Sequence, residues 1–132
     1  MILKSFELNK VNLKKYFFYL FYGNNEGLKE ETIRNLFEKN YQGKTHKYEE
    51  KEILNNKNNF FSNVLTKSFF DNERLIIINR ATDKIKEMIE ELMEKSPEDI
   101  HFILDSKSLE KKSALRKFFE KEKSIICVPF YE

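Results

Sequence analysis

The stretch YFFYLFYGNNEGLKEE, residues 16–31, runs from a continuous apolar and aromatic segment straight into the opening of a helix. Residues 16–22 read as a strand buried on both faces, ended by Gly23. Asn24 or Asn25 is placed to cap the helix that follows, and Glu26 suits its positive end. Ile33, Leu36 and Phe37 line one side of that helix. Strand, tight turn and helix in this order is where many α/β proteins bind phosphate. The motif for that chemistry is G-x-x-x-x-G-K-[ST]: glycines let backbone N–H groups wrap the phosphates, the Lys neutralises charge, and the hydroxyl reaches Mg²⁺. Here Gly23 and Gly27 stand too close together, no Lys-Ser/Thr pair follows, and Glu26 and Glu30 would repel a triphosphate. The segment carries the outline of a nucleotide site without its chemistry.

Outward from that stretch, strands and helices alternate. Residues 44–50 form a weak edge strand, and a helical stretch then places Phe61, Val64 and Leu65 on one face. RLIIIN (74–79) is the clearest buried strand. The helix at 83–96 sets Ile85, Met88, Ile89 and Leu92 in one stripe. IHFILD (100–105) is the next strand, 113–122 a helix with Leu115, Phe118 and Phe119 on one face, and 124–130 the closing strand. The alternating opening, 2–8, reads as an extra edge strand. Helices of this length between strands imply βαβ crossovers, so the predicted fold is a three-layer α/β sandwich with a mostly parallel sheet. The most loop-like stretches are 40–46 and the Asn/Lys tract 55–59, neither long enough for an interdomain linker, so residues 1–132 are expected to form a single α/β domain.

Composition removes several function classes. The chain has 132 residues, 40% of them hydrophobic, enough for one core. Its 24 basic side chains nearly cancel 22 acidic ones, and a net charge of +2 makes no nucleic-acid or membrane-surface footprint. The single cysteine, Cys127, excludes an internal disulfide, and two isolated histidines build no metal site with it. The first ten residues do not read as a signal peptide, and no run approaches the length of a membrane span, so the cytoplasm is the expected compartment.

Other catalytic patterns are missing as well. QGKT (42–45) has Glu38 where its leading Gly belongs and runs from helix to strand, the wrong order. A Walker B acid would end the 74–79 strand, but Asn79 and Arg80 stand there. Asp105 ends the next strand and imitates such an acid; with no P-loop to partner it, it reads as a helix cap or turn residue. No Ser/Thr cluster of a flavodoxin-type loop follows the first strand, and a receiver domain's central acid is replaced by Asn79. Cys127 lies mid-strand as a small hydrophobe, and neither His46 nor His101 has a carboxylate or hydroxyl at a suggestive spacing. Neither a cofactor nor a catalytic residue is expected.

One feature is surplus to the core. Phe69 and Phe70 are adjacent at the end of a helical stretch, just before the polar DNER turn (71–74). Periodicity alone reads them as a hydrophobic staple folded back under the sheet.

Four segments, FYLFYGNNEGLKEE (18–31), SFFDNERLIIINRA (68–81), HFILDSKSLEKKSALRKFF (101–119) and the terminal strand, together resemble the N-terminal domain of the delta subunit of the bacterial DNA polymerase III clamp loader. The resemblance spans essentially the whole chain, and SFFDNERLIII is its strongest single signature. It implies an AAA+-type, P-loop NTPase-like domain whose nucleotide site has degenerated. It implies a protein-binding role without catalysis: a hydrophobic pair enters a pocket on the beta sliding clamp and holds one ring interface open for DNA replication. The positions matching that plug are Phe69 and Phe70, flanked by Ser68 and Leu65. Some relatives carry Leu-Phe, so Phe69 departs from that version while staying apolar, and Lys67 stands where a flanking apolar residue can occur. The resemblance further implies partner subunits, gamma/tau and delta prime, reached through additional domains after residue 132, and DNA contact only within the full complex. A divergent P-loop NTPase and an unrelated α/β adaptor are the alternatives.

Overall fold

Alternation along the first strand divides the molecule. In the computed structural model, which describes residues 1–41, 45–65, 74–95 and 100–131, strand β1 (Phe18–Tyr22) is buried along its whole length. Phe18, Leu20 and Tyr22 point to one face of the sheet and Tyr19 and Phe21 to the other. The remaining strands are β2 (Thr45–Glu49), β3 (Arg74–Asn79), β4 (Ile100–Ser106) and β5 (Ile126–Pro129). All are parallel, in the order β2-β3-β4-β1-β5, with Tyr19 beside both Ile103 and Ile126. Only the outer strand β2 is substantially exposed, as expected of an edge.

Helices cover both faces. Helix α1 (Glu26–Ile33) continues through a π-helical turn, Arg34–Glu38, into α2 (Lys39–Tyr41). Its Ile33, Phe37 and Tyr41 pack with Leu8 on Tyr19, Phe21, Ile77 and Val128. On the opposite face lie α3 (Glu50–Asn55), α4 (Lys57–Leu65), α5 (Lys86–Lys95) and α6 (Ala114–Lys121). They bring Ile53, Phe60, Val64, Met88, Ile89, Leu92, Leu115 and Phe119 against Leu20, Ile76, Ile78 and Phe102. The result is the three-layer α/β sandwich expected from the sequence.

Two local expectations are overturned. Residues 2–8 do not make an edge strand: Ile2 forms a single bridge with Cys127, and Ser5–Lys10 is a 3₁₀ helix. The Glu7 carboxylate accepts the Lys4 N–H at 2.8 Å, which turns the chain, and only Leu8 is fully buried there. The Asn/Lys tract 55–59 is not a loop either. Asn56 separates α3 from α4, and its Oδ1 accepts the Asn59 N–H at 3.2 Å, so the asparagine caps the second helix.

Candidate functional site

Connections from the adjacent strands β1 and β4 leave in opposite directions: β1 leads through α1 to β2, and β4 through α6 to β5 on the far side of β1. That makes the crevice at their carboxyl ends the topological switch point, where open α/β sheets take ligands. Two adjoining cavities open there, of about 370 and 280 Å³. Their walls mix both signs of charge, from Glu26, Glu30, Arg34, Lys47, Arg80 and Asp105.

The turn after β1 does not have a phosphate cradle. A cradle needs free backbone donors. Here the Gly23 N–H donates to the Lys107 carbonyl, Asn25 to Phe130, and Glu26 to Asn24. The Leu28 N–H goes to the Asn25 side chain, the α1 cap. Gly23 is held by the fold rather than by a ligand: its φ is 122°, and a Cβ there would collide with the Phe130 carbonyl. Gly27 is exposed with nothing around it.

Sequence reasoning missed the residue at the centre of this crevice. Counted from Gly23, the P-loop register puts Leu28 at the second glycine and Lys29 at the lysine; taking Gly27 for the second glycine hid it. Lys29 is 1% exposed. Its ammonium donates to Asp105 Oδ1 and to the Ser106 carbonyl, each at 2.8 Å, and lies 3.0 Å from Glu26 Oε1. Asp105 is therefore neither helix cap nor turn residue; it lies within β4, next to its last residue, as the partner of a buried lysine. Burial raises its carboxyl above the ordinary range, while the Lys29 ammonium pulls it down. At the end of β3, where a Walker B acid would stand, Arg80 adopts a left-handed conformation (φ 56°) and pairs with Glu49. A nucleotide does not fit these residues.

Of the positions the resemblance assigns to a clamp plug, the described residues include Leu65 alone. Leu65 ends α4, half-buried against the core beside Phe60 and Val64. Ser68, Phe69 and Phe70, with Lys67, lie outside the described residues. Arg74, the first residue of β3, is 4% exposed. Its guanidinium donates to the carbonyls of Val64 at 2.7 Å and Asn63 at 3.4 Å. A cation thus sits against backbone carbonyls near the carboxyl end of α4, where the helix dipole favours positive charge. No periodicity signals such a contact.

The other chemistry-bearing residues are structural. Burial pushes the Cys127 thiol up to about 12, which removes it as a nucleophile at neutral pH. His101 is buried under Phe17 with its Nδ1 2.5 Å from the Tyr41 hydroxyl. Among the described residues no group of His, Cys, Asp and Glu is arranged to hold a metal ion, and no helix is long and apolar enough to cross a membrane.

Comparison with known proteins agrees with this architecture. No curated protein matches the chain. Among solved structures, the Bacillus subtilis DNA clamp loader delta protein superposes with a TM-score of 0.69 at 18% identity, a likeness of fold. The alignment covers 97% of this chain and 42% of that one, so the chain spans about two fifths of the length of its structural relative. The family model described as DNA polymerase III, delta subunit, matches residues 19–128, from the first core strand to the last. With the nucleotide-type fold, the filled crevice and a match over most of its length, the chain belongs to the DNA polymerase III delta subunit family.

Proposed function

We propose that this chain acts as the clamp-binding α/β unit of a delta subunit, a part of the clamp loader without ATPase activity of its own. Phe69 and Phe70 are the hydrophobic plug that enters a pocket on the beta sliding clamp, with Leu65 and Ser68 flanking, and their insertion helps open the ring for DNA replication. ATP hydrolysis belongs to sister subunits, gamma/tau with delta prime, met through domains beyond this one. DNA is engaged only within the full complex, in the cytoplasm. The observation that carries the reading is the family match, which runs through the whole 65–79 stretch. Two structural features support it: Lys29, at the P-loop lysine position, is paired with Asp105 rather than free for phosphate, and the buried Arg74 ties the start of β3 to the last described turn of α4.

The test is a titration of the wild-type chain and the Phe69→Ala/Phe70→Ala double variant against the sliding clamp of the same organism. Full burial of each Phe contributes roughly 1.5–3 kcal/mol, so the double variant should bind about two to four orders of magnitude more weakly. Its thermal stability should stay near wild type, since a plug contributes little to its own core. A staple would show the reverse, unchanged clamp binding and a loss of roughly 3–5 kcal/mol of stability.

A further inference from the structure

The mismatch between a nucleotide-type crevice and its contents is specific enough to assign a role. Lys29 stands at the P-loop lysine position, yet its ammonium is buried and directed at Asp105 and Ser106 of β4. In a nucleotide site the lysine meets the phosphates, and ligand contacts join the first turn to the neighbouring strand ends. Here the same two elements are joined by the chain itself. The joint has further hydrogen bonds behind it: Ser106 Oγ donates to the Ala81 carbonyl at 2.8 Å, and the Ala81 N–H to the Asp105 carbonyl at 3.0 Å, so β3, β4 and α1 meet around one ammonium. Two carboxylates, Asp105 and Glu26, face that cation and leave it no charge to offer an anion.

We propose that Lys29 with Asp105 and Glu26 is an internal substitute for a bound nucleotide: the lysine is held away from phosphate and locks α1 to the end of β4 permanently. The lock makes the arrangement of this edge independent of ATP. It rests on the non-ATPase part of the reading above, and clamp affinity measured on the same proteins separates the two.

The lock predicts energetic coupling and a hidden anion site. In a cycle of Lys29→Met, Asp105→Asn and the double variant, the first strands the Asp105 carboxylate and the second leaves the buried ammonium only the half-exposed Glu26, so each should lower the folding equilibrium constant about tenfold to a hundredfold. The double variant, with no stranded charge, should recover at least tenfold of the summed loss. Inorganic pyrophosphate, followed by titration calorimetry, should not bind the wild type. It should bind Glu26→Gln/Asp105→Asn at least tenfold more tightly, because the two carboxylates that neutralise the Lys29 charge are then uncharged amides. Clamp affinity should stay at the wild-type value throughout. Additive single effects, equal pyrophosphate affinity in the two proteins, or a rise in wild-type melting temperature with Mg²⁺-ATP would each overturn the lock. A wild type that ignores the clamp while the coupling holds would overturn the clamp reading alone.

Discussion

Two buried cations do opposite work at the two ends of β3's neighbourhood. At the carboxyl edge, Lys29 is consumed by carboxylates in a place built like a ligand site, and the crevice is satisfied from within. At the amino end of β3, Arg74 meets no carboxylate among the described residues; it donates to two backbone carbonyls in the last described turn of α4. A buried charge paired with another charge closes a site. A buried charge paired with backbone ties a strand to a helix. The comparison explains how a fold shaped for nucleotide can be read as a platform for a protein contact.

The largest effect that sharpens this contrast falls on Arg74. Arg74→Met leaves the Val64 and Asn63 carbonyls without their donor and removes the cation from the α4 terminus. Lost charge-assisted hydrogen bonds and the dipole contribution together give a loss of about 2–4 kcal/mol in chemical denaturation. On the proposed clamp reading, affinity for the clamp should fall as well, because the proposed plug positions follow Leu65 directly in sequence. An Arg74→Met protein that binds the clamp as tightly as wild type would show that the base of the segment lies elsewhere.

A smaller effect probes the tie between the two regions. Glu50, the first residue of α3, accepts the Thr82 N–H at 2.9 Å, and the next residue, Asp83, reaches across to α6, accepting Ser113 Oγ at 2.5 Å and the Leu115 N–H at 3.0 Å. These donors stabilise the ionised form and hold the Asp83 carboxyl below its ordinary value of 3.8. A carboxyl lowered on folding stabilises the protein above its unfolded value, and that contribution is lost as pH falls through the folded one. Asp83→Ala should therefore cost about 1 kcal/mol at pH 7, the size of a lost helix cap. The gap between variant and wild type, followed by thermal unfolding, should close as pH drops below 3.8. A gap that stays constant to pH 3 would remove the carboxylate from the cap.

How far the sequence reaches is clear from these same residues. The layers are written in local patterns: alternation in Phe18–Tyr22 places the two faces, and the stripe Ile85, Met88, Ile89, Leu92 places α5. Partners are not written there. Lys29 and Asp105 are 76 residues apart, and only the sheet order brings them together. Arg74 reads as a polar residue opening an apolar strand, and its helix-capping role depends on how α4 ends beside it. Residues 2–8 show the opposite failure: an alternating pattern was present, but one Glu7 hydrogen bond and a single buried Leu8 favour a 3₁₀ turn over a strand. The proposed plug at Ser68, Phe69 and Phe70 rests on the family pattern alone, since periodicity by itself reads the two phenylalanines as a staple.

The smallest effect separates the two glycines of the crevice turn. A phosphate cradle would need both, one for the turn and one for backbone approach. In this chain Gly23 is pinned by its conformation and by the Phe130 carbonyl, whereas Gly27 is an exposed second residue of α1 with no atom near where a Cβ would go. Glycine in a helix costs roughly 0.5–1 kcal/mol relative to alanine, through the freedom it loses on folding. Gly27→Ala should therefore stabilise the domain by about 0.4–1 kcal/mol, raising the denaturation midpoint without changing the slope. Clamp affinity should not move, since the substitution touches neither α4 nor the segment after it. A destabilised Gly27→Ala protein would mean that something approaches this backbone closely, and the crevice would have to be counted as a working site after all.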